Sequence, residues 1–110
     1  MHFQLKDQNI LIYQDKQLSS EFFAAYDLRY PEFQSYNIIF FPEKTQALTL
    51  DFSNALLQHI KVHQAQKKSF VVVSTHWTNN ELPEEIVLVP TLQEAIDLIE
   101  MDEMQRDLGF

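Results

Sequence analysis

The run Asn37-Ile38-Ile39-Phe40-Phe41, closed by Pro42, decides how this chain folds. Four apolar side chains in succession follow neither a helical nor an alternating period, and the run is too short to make a helix. It reads as a strand covered on both faces, the kind that sits inside a parallel sheet. Ser69–Val73, SFVVV, makes the same case with three β-branched residues in a row, and EIVLV, 85–89, is a third such strand ended by Pro90. Between the first two, residues 51 to about 66 place apolar side chains at helical spacing. After Pro90, TLQEAIDLIEMDEM opens on Thr91 with Glu94 three residues on, the pattern of a reciprocal N-terminal cap. Strands alternating with helices pair in parallel through crossovers, so these three strands are expected to form a parallel core.

Outward from that core, Phe3–Leu5 and Asn9–Tyr13 read as two short strands joined by a turn at Lys6-Asp7-Gln8. In LSSEFFAAYDL, Ser19 or Ser20 is the expected N-cap of a helix that carries Phe22, Phe23 and Tyr26 on one side, with Pro31 expected to prevent it from running much further. The stretch from His76 to Leu82 has room for one short helix, with Trp77 and Leu82 pointing inward. The expected order is β-β-α-β-α-β-α-β-α: a single α/β domain over residues 1–110, with a mixed, mostly parallel sheet and helices packed against it. Residues 102–110 are expected to be a helical extension or a tail. With 110 residues, 45% of them hydrophobic, the chain is long enough for one such core.

Composition removes several classes of function. Sixteen acids against eight Lys and Arg give a net charge of −8, which opposes binding to a nucleic acid. The one glycine, Gly109, is next to the C-terminus, so no glycine-rich loop can bring backbone N–H groups against a phosphate. The absence of cysteine removes disulfides, thiolate nucleophiles and thiolate zinc sites, and suits a reducing compartment. The opening MHFQLKDQ lacks a basic segment followed by an apolar run, and no apolar stretch approaches the roughly 20 residues that span a bilayer. The expectation is a cytoplasmic protein without a membrane segment.

The element order, together with a helix start reading Asp51-Phe52-Ser53-Asn54 shortly after NIIFF, resembles the STAS domain, the fold of bacterial anti-sigma-factor antagonists. The helix ALLQHIKVHQAQKK leading into SFVVV, and the closing EIVLVPTLQEAIDLIE with its Glu-Ala pair inside the last helix, extend the resemblance over nearly the whole chain. It implies a non-catalytic regulatory module whose partner is a protein of the anti-sigma-factor or kinase kind. In that family the loop before this helix reads Asp-Ser-Ser-Gly or similar, and the first Ser takes a phosphate. Here Asp51 matches the Asp, Phe52 stands at the acceptor position, Ser53 matches the second Ser, and Asn54 replaces the Gly. Thr49 and Ser53 are the neighbouring hydroxyls that could take a phosphate, and capping of the helix by Thr49, Asp51 or Ser53 is the plainer reading. LVPTLQEA and the ending EMDEMQRDLGF are also similar to a group of small bacterial proteins, some labelled ribonuclease Z. His2, His59, His63 and His76 do not form the H-x-H-x-D-H motif that such a nuclease needs.

Other residues invite chemical readings. His59 and His63 are four apart and share a helix face, as a pair of metal ligands would. His63 also falls about 20° and His59 about 60° from Leu56 around the helix, so both are expected to face the sheet or its edge. Ser74-Thr75-His76-Trp77 follows a parallel strand, where open α/β sheets place ligand contacts, and Pro42, Glu43, Lys44 and the helix start at Asp51 belong to the same edge. A hydrolase there would need an activated nucleophile and an oxyanion site, and the sequence has neither a nucleophile elbow nor the glycines to build one.

The expected contact surface for a protein partner is therefore Thr49, Asp51, Phe52, Ser53, Asn54, His76 and Trp77, with no cofactor and no metal. Met104, Leu108 and Phe110 on the charged C-terminal arm suggest a further contact, with a second copy of the chain. The competing reading is a small-ligand- or metal-binding enzyme or accessory protein using His59, His63 or His76.

Overall fold

The computed structural model describes residues 1–109. Strand β1 (His2–Lys6) turns through Asp7, which takes a positive φ of 57°, into antiparallel β2 (Asn9–Tyr13), with Phe3 opposite Ile12. Helix α1 (Ser19–Phe33) leads to β3 (Asn37–Phe41), and α2 (Leu50–Gln64) leads to β4 (Phe70–Val73). A single turn of 3₁₀ helix at Asn79–Glu81 precedes β5 (Val87–Val89), and α3 (Leu92–Asp107) closes the chain. The five strands lie in sequence order, β2 to β5 mutually parallel. Among the described residues no helix is long and apolar enough to cross a membrane.

Strand pleating divides the core into two layers. On one face Ile10, Ile12, Ile38, Phe40, Phe70 and Val72 meet Phe22, Tyr26 and Phe33 of α1, and Phe52, Leu56 and Ile60 of α2. Trp77, Leu82 and Ile86 from the connection to β5 complete that layer, with Trp77 and Leu82 pointing inward as the sequence suggests. On the other face Leu11, Ile39, Val71 and Val73 are covered by Ala95 and Ile99 of α3 alone. Ile38, Ile39 and Phe40 are at most 1% exposed, as the two-sided reading of NIIFF requires.

Two expectations need correction, the N-cap of α1 and the third of the expected strands. Pro31 lies in the last turn of α1, which ends two residues beyond it, so the helix does not run much further. The missing N–H costs one intrahelical bond, from the exposed Asp27 side where water can replace it, and Gln34 N–H still reaches the Tyr30 carbonyl at 2.9 Å. The N-cap is Leu18 rather than Ser19 or Ser20, because the Glu21 carboxylate accepts from the Leu18 N–H at 3.1 Å and moves the start back. The third parallel strand is an edge strand of three residues, with Val87 38% exposed. A turn from Pro83 to Ile86 uses up the first residues of EIVLV, and buried Ile86 does its packing just outside the strand.

Candidate functional site

The seven residues expected at a contact surface meet at the carboxyl edge of the parallel strands, in two tiers. Thr49 is the N-cap of α2, its Oγ1 accepting from Phe52 N–H at 3.1 Å. Asp51 and Asn54 stand exposed in the first turn beside it. Ser53 is only 5% exposed, and its hydroxyl donates to the Leu50 carbonyl at 3.1 Å. Phe52 turns under the helix, 2% exposed, and meets Trp77 edge-on at 5.6 Å between ring centroids. Trp77 is 7% exposed and donates its indole N–H to the Gln46 carbonyl at 3.3 Å, which joins the connection after β4 to the connection after β3. His76 is exposed above it, its backbone N–H bonded to Ser74 Oγ at 3.1 Å.

Phe52, Ser53 and Trp77 are thus buried, with Phe52 and Trp77 in contact, while Thr49, Asp51, Asn54 and His76 are exposed. Two apolar residues that the sequence reading did not select belong to this edge. Leu50 is 74% exposed in the first turn of α2, and Leu18, the cap of α1, is 69% exposed at the helix start that follows the adjacent strand. Gln14 was also unmarked, yet it is buried and braces the edge. Its Nε2 donates to Gln46 Oε1 at 2.8 Å, and its Oε1 accepts from Glu43 N–H at 3.0 Å. The Thr45 hydroxyl donates to Glu43, the main reason this carboxyl is held below its usual range. Periodicity could not reveal the Gln14 contacts, because they join the connection after β2 to the connection after β3.

The histidines separate. His76 is at the edge, whereas His59 and His63 lie on α2 beside α1. His63 is fully buried. Its Nδ1 is 2.7 Å from the Tyr30 hydroxyl and its Nε2 is 2.8 Å from the Tyr36 carbonyl, so the neutral ring accepts from one and donates to the other. Burial lowers its pKa to about 4. Both nitrogens are occupied, which leaves none for a metal. His59 stacks on Phe23 at 4.6 Å, with Nε2 at 2.8 Å from Asp27 Oδ1 and Nδ1 at 2.6 Å from the Ala55 carbonyl. It faces α1 rather than the sheet, because both helices pack side by side on one sheet face. Among the described residues no three His, Asp or Glu side chains are grouped to hold a metal ion.

No family model matches the chain, and neither a curated protein nor a solved structure does.

Proposed function

We propose that the chain is a STAS-like, non-catalytic interaction module of the cytoplasm that docks a regulatory protein on the carboxyl edge of its sheet. The observation that carries this reading is the first turn of α2. Leu50 stands out in solvent between Thr49 and Asp51, in the same helical turn as Phe52, which packs edge-on against buried Trp77. An exposed apolar anchor ringed by polar side chains on a rigid support is the composition of a protein-binding hot spot. The hydroxyls nearby serve the fold: Thr49 caps, Ser53 bonds within its own helix, and Ser74 holds the His76 N–H. The element order and the Asp51-Phe52-Ser53-Asn54 match support the STAS-like reading.

Phosphate control in this reading falls on Thr49. It is exposed at a helix N-terminus, where the free N–H groups and the helix dipole favour a dianion, whereas Ser53 would have to leave the core first. Capture of the partner from the native cell tests the docking edge. Leu50→Glu should weaken capture more than tenfold, a loss of about 1.4 kcal/mol or more, while stability stays within about 0.5 kcal/mol of the wild type. Undiminished capture would move the site elsewhere.

The homodimer reading has its own surface. Met101, Met104 and Leu108 are 56%, 64% and 71% exposed at spacings of three and four, an apolar stripe on the outer side of α3. Phe110, the last apolar residue of the arm, lies outside the described residues.

A further inference from the structure

The net charge of the chain is gathered on one part of it. Residues 69–105, which form β4, β5, their connection and nearly all of α3, hold eight of the sixteen acids and no Lys or Arg. The rest of the chain, with eight acids and eight cations, is balanced. The nearest cations in sequence, Lys68 and Arg106, lie at the amino end of the sheet, where Arg106 donates to Ser69 Oγ just before β4. On this acidic side α3 alone covers the sheet, and it leaves the outer strand β5 partly bare. Val87 and Val89 point to the same face, since Val71, the cross-strand partner of Val87, packs under α3, and Val87 is 38% exposed. Beside β5 a hollow of about 330 Å³ is lined by Val89, Pro90, Leu98 and Met101, together with exposed Glu94 and Asp97. Glu94 is bonded to Thr91 and Asp97 to Gln93, and among the described residues neither has a cationic partner.

We infer that this hollow docks a basic segment of another protein. One apolar side chain of the segment enters between Val89, Leu98 and Met101, while Lys or Arg on either side of it meet Glu94 and Asp97. The hollow has room for a Leu or Met side chain, since a cavity of roughly 150 Å³ holds a benzene molecule. Charge complementarity selects the occupant: eight uncompensated acids repel an acidic surface and steer a basic one, and a second copy of the chain would bring the same carboxylates against each other. Addition of a further strand is disfavoured, because β5 is three residues long and is followed by Pro90, which has no N–H. The inference does not rest on docking at Leu50, whose helix packs on the opposite face of the sheet.

The test titrates the isotope-labelled full chain with the end-blocked peptide Lys-Leu-Lys-Lys-Leu-Lys, followed by amide chemical shifts. One control peptide has Ser for Leu and another has Glu for Lys. The Lys–Leu peptide should shift residues 87–101 and bind more tightly than the Lys–Ser peptide, with the Glu–Leu peptide silent. Raising the ionic strength from about 0.01 to 0.15 M, which shortens the screening length from about 30 to 8 Å, should weaken it. Glu94→Gln with Asp97→Lys should weaken it roughly three- to tenfold, the effect of two exposed ion pairs. Asp27→Asn with Glu32→Lys changes the net charge equally on α1, across the sheet, and should leave binding unchanged. Equal weakening by both double variants, shifts scattered outside the hollow, equal affinity of the Lys–Ser peptide, or no shift would overturn the inference. So would a dimer in solution that covers Met101 and takes up no peptide. Because Leu50→Glu leaves this hollow intact, peptide binding and docking at Leu50 can fail independently.

Discussion

His63 shows at the scale of one residue how folding decides between two chemistries. The sequence favours it as a core residue over a metal ligand, and the outcome rests on Tyr30 and the Tyr36 carbonyl, which reach it from α1 and from the turn before β3. Its pKa falls from 6.5 to about 4 in the folded protein, chiefly through burial. As the pH drops from 6.5 to about 4 the unfolded chain therefore takes up a proton that the folded chain refuses, and stability is lost over that window. The full loss is about 3 kcal/mol. Urea unfolding at pH 7.5 and 4.5 should show a steeper acid loss for the wild type than for His63→Gln, which keeps polar ends without titrating. Equal losses would contradict the buried neutral ring. Tyr26→Phe belongs to the same scale. Removing a hydroxyl that has no partner should leave stability unchanged or raise it by about 1 kcal/mol, and a loss of that size would mean the hydroxyl is satisfied. Thr49 was legible as a cap because a cap is local, whereas the burial of Ser53 depends on where the sheet lies.

At the scale of elements, local signals survived and distant ones did not. NIIFF and the Thr91–Glu94 start of α3 were readable because their residues carry the pattern themselves: Thr91 Oγ1 accepts from Glu94 N–H at 3.2 Å. Thr91→Ala should cost about 1 kcal/mol, read from the urea midpoint, and Thr91→Ser should cost little. Pro31 was readable as the approach of the end of α1, which stops two residues later because a proline in the last turn of a helix removes only one bond. The position of β5 at the edge was hidden because its sequence resembles an inner strand, and among the described residues its one neighbour in the sheet is β4. Asn37, which reads from sequence only as the first residue of a strand, joins β3 to β2, to α3 and to Ser69 just before β4. Its side chain is fully buried, donates to Asn9 Oδ1 at 3.3 Å and Glu103 Oε1 at 2.6 Å, and accepts from Ser69 N–H at 3.0 Å. Asn37→Leu orphans the Ser69 N–H and frees the end of α3. It should cost about 1–3 kcal/mol and raise hydrogen exchange at Ser69, and protection equal to the wild type would show the bond to be dispensable.

The whole molecule is asymmetric. Two helices and the connection from β4 to β5 cover one face of the sheet and α3 alone covers the other. On that thinner side the His2, Tyr13 and Phe41 rings stack in series at 4.7 and 4.5 Å across β1, β2 and β3. The stripe of Met101, Met104 and Leu108 lies outward on α3, and a double Met101→Lys, Met104→Lys variant should halve the solution mass of a dimer held there. An unchanged mass would remove the stripe as a self-contact. The carboxyl edge carries exposed Leu50 and Leu18 among polar residues, next to the buried Phe52–Trp77 contact, and it is the surface the proposed docking uses. Its place at the ends of the parallel strands was legible from element order, while its division into buried support and exposed tier was not, since helical phase alone does not tell which turn lies over a loop. The most direct test is a photo-crosslinking residue at position 50 in the native cell, against the same residue at Leu28, which is 81% exposed on α1 and controls for stickiness. A discrete adduct of the chain with another protein from position 50, and none from position 28, is the predicted result. No adduct from position 50, or the same adducts from both positions, would contradict docking at this edge.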